Sequence, residues 1–131
     1  METLLRAALL ACLQGDPGLA AVNSMTEEAP SRASLPWLGI VASASADWSV
    51  KDAIGREVRV AVELHMRGDD RATGAALAKE VEARILAMPR AQNGFEIVTV
   101  TFLRSRVEQR ANNLRAVLSE FRFHLLETQP E

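Results

Sequence analysis

The segment GREVRVAVELHM, residues 55–66, decides how the chain is read. Val58, Val60, Val62, Leu64 and Met66 fall on one parity, and Glu57, Arg59, Ala61, Glu63 and His65 on the other. Successive side chains of a strand point to opposite faces, so this alternation specifies a strand with one buried face. What the polar face meets, whether water, a partner or a substrate, is the functional question.

Downstream, Gly68-Asp69-Asp70 ends the strand and supplies a helix N-cap. Leu77, Val81, Ile85 and Met88 then recur at helical spacing, with Lys79, Glu80, Glu82 and Arg84 on the other faces, and Pro89 marks the stop. Gly94 opens the β-branched and aromatic run 95–103. A basic turn region follows, and then a strand over 117–126 with Val117, Phe121, Phe123 and Leu125 on one parity. Upstream, Pro36 confines 35–41 to the start or edge of a strand. Residues 43–54 are small and polar and read as a wide loop, so that 35–41 and 55–66 form a hairpin. Leu5, Leu9 and Leu13 make the stripe of a first helix, stopped by Gly15-Asp16-Pro17-Gly18. Residues 19–22 are a short apolar piece, and 26–34, polar and carrying Pro30, read as a surface loop.

The expected class is therefore α+β, in the order helix-strand-strand-helix-strand-strand. Strands that come in adjacent pairs favour an antiparallel sheet, with the helices packed on one face. The 131 residues suggest one domain, 1–131. With 48% hydrophobic and 24% charged residues the composition is ordinary for a globular protein. A net charge of −2 gives no bulk attraction to nucleic acid or membrane. The single cysteine, Cys12, excludes an internal disulfide and a Cys-based zinc site. Leu9-Leu10-Ala11-Cys12 loosely matches a lipoprotein cleavage site, but Glu2 precedes Arg6 and the apolar run is short. An amphipathic helix is the expected reading.

No phosphate-binding loop, dinucleotide fingerprint or nucleophile elbow is present. His65 and His124 lie on polar strand parities and could meet across the sheet, but neither has a carboxylate or Cys beside it at ligand spacing; no metal or cofactor is expected. Asp69 and Asp70 suit capping better than acid–base work. Trp37 and Trp48 fit core or oligomer contacts better than a ligand frame. Arg104, Arg106, Arg110 and Arg115, around Glu108 and Asn112-Asn113, read as a solvated hairpin tip, or as a docking or phosphate-contacting edge.

The segments Leu35-Pro36-Trp37-Leu38-Gly39-Ile40, residues 55–65, and Gly68-Asp69-Asp70 leading into 75–86 together resemble the tail-completion, or tail-terminator, proteins of long-tailed bacteriophages and of phage-derived gene transfer agents. The resemblance runs from the first helix to Phe123-His124-Leu125-Leu126 and consists of residue classes, with no catalytic signature; His65-Met66 replaces the aromatic that often ends the family's second strand. It implies a non-enzymatic α+β subunit that closes into a ring, typically a hexamer, at the head-proximal end of the tail tube. Such a ring stops tube polymerisation and meets the head connector, and DNA passes through its lumen without specific binding. The implied place is the neck of a phage-like particle assembled in the bacterial cytoplasm, with no membrane involved. Trp48, Glu57, Arg59, Glu63, Arg104, Arg106 and Arg110 are the expected subunit or partner contacts. The alternatives are a neck adaptor between portal and tail, a small α+β enzyme or ligand-binding domain using the histidines or tryptophans, and a nucleic-acid binder using the arginine cluster.

Overall fold

The structure, a computed structural model, describes residues 1–27 and 34–128. Helix α1, Glu2–Gln14, is followed by a short 3-10 turn, Pro17–Leu19, and by strands β1 (Ser24–Thr26), β2 (Trp37–Asp47) and β3 (Gly55–Arg67). Helix α2, Arg71–Leu86, leads to β4 (Phe95–Arg110) and β5 (Leu114–Glu127). The sheet has five strands in the order β1-β2-β3-β5-β4. All its ladders are antiparallel except the short parallel pairing of β1 with Trp37–Gly39.

Local signals account for most of the boundaries. Asp70 caps α2, its side chain accepting from the Thr73 amide. Asp16 does the same for the 3-10 turn through the Gly18 amide, with Pro17 in the first turn. Asn112 and Asn113 both adopt left-handed backbone, φ 62° and 56°, at the tip joining β4 to β5. Asparagine tolerates that region better than other non-glycine residues, so the chain can reverse there.

Both helices cover one face of the sheet. Leu5, Leu9 and Leu13 of α1 and Leu77, Val81 and Ile85 of α2 pack on Val58, Val60, Val62, Leu64 and Met66 of β3. Phe121, Phe123 and Leu125 of β5, Leu38 and Ile40 of β2, and Phe95 and Ile97 of β4 complete this core. The apolar parity of β3 is thus buried throughout, as the alternation requires. At Gly74 of α2 an added Cβ would meet the Met66 sulfur, so glycine lets the helix sit close to β3.

The order of elements agrees with the sequence, but the strands are longer. Ser43–Asp47 belongs to β2, so the connection to β3 is shorter than a 43–54 loop. Arg104, Arg106 and Arg110 lie within β4 and form no turn. Both extensions lack an apolar alternation and are held by backbone pairing to a neighbouring strand. Strand β1 had no sequence signal at three residues. The surface-loop reading of 26–34 falls largely on 28–33, outside the described residues.

Gly55, buried where β3 begins, has no room for a side chain. A Cβ there would press into the Trp48 carbonyl and lie 3.0 Å from the Leu125 carbonyl, both backbone atoms. Gly55→Ala is expected to destabilise the fold by about 1–3 kcal/mol, the usual range for forced overpacking, read as a lower urea midpoint at unchanged m-value.

Candidate functional site

The face opposite the helices holds most of the chain's charged strand residues. The register sets Trp37, His65, Ala116 and Glu108 abreast at one end. The next rows are Gly39, Glu63, Leu118 and Arg106, then Ala42, Ala61, Glu120 and Arg104. Ala44, Arg59, Arg122 and Thr101 follow, and Ala46, Glu57, His124 and Thr99 close the far end. Single extra residues at Val41, Val98 and Leu103 shift the register and keep the charged side chains on this face.

At the first end Trp37 stacks flat on His65, with ring centroids 3.8 Å apart and planes 10° from parallel. The His65 Nε2 is bonded to Glu63, and Glu63 Oε1 also accepts from Arg110 Nη1 at 2.7 Å. Arg110 reaches Glu63 across β5, over the fully buried Ala116, and holds Glu108 at 2.9 Å. Arg106 pairs with Glu108 from the other side at 3.2 Å. Glu63 and His65 are 8% and 3% exposed, so two residues of the polar parity are buried. The reason is the tryptophan lid and the arginine that reaches over them.

The opposite end repeats this arrangement. Trp48 stacks on His124 with centroids 4.3 Å apart. The His124 Nε2 is bonded to Glu57 at 3.0 Å, and its Nδ1 to the Thr99 hydroxyl at 2.9 Å. Because a carboxylate only accepts, the Nε2 carries a proton. Arg122 approaches Glu57 at 3.9 Å. The two histidines therefore do not meet: His65 lies opposite Ala116 and His124 opposite Glu57, at the two ends of the β3–β5 ladder.

Between the two stacks the face is shallow. Ala42, Ala44 and Ala61 floor an open trough bordered by Arg59, Leu103, Arg104 and Glu120. Arg104 grips Glu120 through Nε at 2.7 Å and Nη2 at 3.3 Å. That bond holds the Glu120 carboxyl below its usual range and raises the Arg104 guanidinium, and Arg110 lowers Glu108 in the same way. Arg59 is exposed at mid-sheet.

The expected contact residues thus share one surface. Glu57, Arg59 and Glu63 come from β3, Arg104, Arg106 and Arg110 from β4, and Trp48 from just beyond β2. The sequence missed the pairing of each tryptophan with a histidine, since it depends on register across two strands. Among the described residues no three His, Cys, Asp or Glu side chains group to hold a metal ion, and no helix is long and apolar enough to cross a membrane. Cys12 is half-buried at the edge of the core.

The sequence profile of the family described as Tail completion protein gp17 matches residues 7–125. No curated protein sequence matches the chain significantly. Among solved structures, a chain of the "Virion of native gene transfer agent (GTA) particle" is 21% identical, covers 97% of both chains and superposes with a TM-score of 0.82. A second solved chain, 13% identical, covers 100% of this chain and 99% of its own at a TM-score of 0.56.

Burial under Trp37 pushes the His65 imidazole below its ordinary pKa, and its Nδ1, on taking a second proton, would be a buried N–H with no acceptor. As pH falls through about 6.5, the unfolded chain takes up a proton that native His65 refuses, so stability falls. Carboxylates lowered in the fold, such as Glu2 and Glu120, contribute stability that is lost only at more acidic pH. Glu80, raised by its bond to Asp16, acts in the opposite sense, its contribution lost as pH rises. Urea titrations at pH 7 and 5.5 should show lower stability at 5.5, and His65→Gln should flatten that difference.

Proposed function

Because the chain belongs to the tail completion protein family, matched over residues 7–125, we propose that it is a structural virion protein that closes into a ring and terminates a phage-type tail tube. The family match is the observation that carries this reading. The ring sits at the head-proximal end of the tube, stops its polymerisation and presents its other rim to the head-side connector. DNA crosses its lumen. A place in the neck of the particle, after assembly in the bacterial cytoplasm, follows from that role.

The site's chemistry supports a structural part. Both histidines are engaged in holding a tryptophan against the sheet, each bonded to a glutamate, so neither is poised as a free base. The arginines of β4 bind glutamates of the same chain, which leaves a surface of small net charge. Such a surface suits a conduit, because uncompensated cations would hold passing phosphates by counterion release.

Light scattering and electron microscopy of the purified protein, alone and with tail-tube protein, test this. Rings seated on one end of the tubes, with tube growth arrested, are expected. A protein that stays monomeric at all concentrations even with tube protein present would overturn the reading, and binding to the portal alone would replace it with a neck adaptor.

A further inference from the structure

The sheet has two open edges. Strand β1 covers β2 only along Trp37–Gly39, and among the described residues no strand pairs with the β2 backbone beyond that on its outer side, although Glu2 and Arg6 of α1 bond to the Ser43 hydroxyl. Strand β4 lies at the other border, where among the described residues only its first residues are engaged on the outer side, by Gln92 N–H to the Phe95 carbonyl and Ile97 N–H to the Arg90 carbonyl.

Which backbone groups face outward follows from the ladders. Trp48 N–H donates to the Gly55 carbonyl, so Ala46, Ala44 and Ala42 turn their amides toward β3. Narrow and wide pairs alternate, which leaves Ser43, Ser45 and Asp47 pointing outward. Gly68 N–H donates to the Asn113 carbonyl, which turns Leu114, Ala116 and Leu118 toward Arg110, Glu108 and Arg106. The outward residues of β4 are then Gln109, Val107 and Ser105 and, past the Leu103 bulge, Phe102 and Val100.

Neither edge holds a proline, and the charged side chains near each are tied into bonds within the chain. Residues 42–46 are Ala-Ser-Ala-Ser-Ala, and the charges near them are already engaged: Glu2 and Arg6 of α1 bond to the Ser43 hydroxyl, and Asp47 accepts from Ser49. The arginines of β4 are drawn over the open face by Glu120, Glu108 and Glu63, away from the edge itself.

The two edges also match in direction and pleat. In the order β2-β3-β5-β4 with antiparallel neighbours, β2 and β4 run in opposite directions. Rotation about an axis along the strands preserves direction, so β4 of one copy meets β2 of the next antiparallel. The outward residues on both edges carry their side chains on the helix-covered face. Opposed residues of a narrow pair share a face, so the junction keeps all helices on one side.

We propose that successive copies of this chain join by pairing the β4 edge, Val100–Gln109, with the distal β2 edge, Ser43–Asp47, of the next copy. This inference rests on the ring reading and specifies its joint. The contact is heterologous and closes by rotation. The helices, which need room, take the convex side, and the ion-paired face lines the lumen. The alternating row of Glu57, Arg59 and Glu63 then faces the channel, with no direct role at the joint.

Disulfide trapping in a Cys12→Ser background tests the joint. Ser45→Cys is combined in one chain with cysteine at Val100, Ser105, Val107 or Gln109. At least one combination should give a ladder of oligomers on a non-reducing gel, while each single-cysteine variant stays monomeric. Ser45→Pro, which removes an outward amide, should cut the assembled fraction at least tenfold relative to Ser45→Ala, which gives up the same hydroxyl bond to Glu2, at the Tm of that control. Ala44→Pro, which removes an inward one, should instead lower Tm.

Rings by microscopy without any ladder, or with Ser45→Pro assembling normally, would overturn the joint and leave the ring standing. Dimers from a single-cysteine variant would overturn it in favour of β2–β2 or β4–β4 pairing. Absence of rings and ladders together would remove both readings.

Discussion

The structure depends on β3. It is the middle strand of the sheet, with long partners on both sides, β2 at Trp37–Asp47 and β5 at Leu114–Glu127, and it carries the full alternation. Its alternation commits one face to the helices and the other to charge, and a slip of one residue would exchange Val58, Val60 and Val62 with Glu57, Arg59 and Ala61. Once that register is set, the faces of β2, β5 and β4 follow from pairing alone. The core and the charged face are thus two results of one constraint.

That dependence explains what was legible in the sequence. The helices, the central strand and the apolar parity of β5 each carry a local apolar period, and each lies where that period places it. The extensions Ser43–Asp47 and Arg104–Arg110 carry none. They are strands because a longer neighbour supplies hydrogen bonds, and no window of their own residues contains that information. The same holds for the candidate site. Its residue types were visible, but the burial of Glu63 and His65 was not. It arises because Trp37 lies opposite His65 and because Arg110 crosses β5 over Ala116, a small residue that leaves it room.

The charged face combines two kinds of interaction with different sensitivities. Arg104 and Glu120 form an exposed pair, weak and screened by salt. Glu63 sits in a protected spot, bonded to both His65 and Arg110, where loss of one partner leaves a buried charge exposed to the full desolvation penalty. The middle of the face is therefore adaptable, while its two ends are fixed by the aromatic stacks. A surface built this way keeps its shape at the rims and tolerates changing contents between them.

The three bulges have a geometric consequence. Val41 lies in β2, and Val98 and Leu103 in β4, the strands that border the open edges. An extra residue bends its strand and increases local twist. The angle between one edge and the other is set partly by these three positions, and in the proposed edge-paired ring it would fix the turn from each copy to the next. Removing one changes that angle without touching the core. A ring joined in the proposed way whose turn no longer divides a full circle would not close but wind into an open spiral, and these residues would then be its protractor.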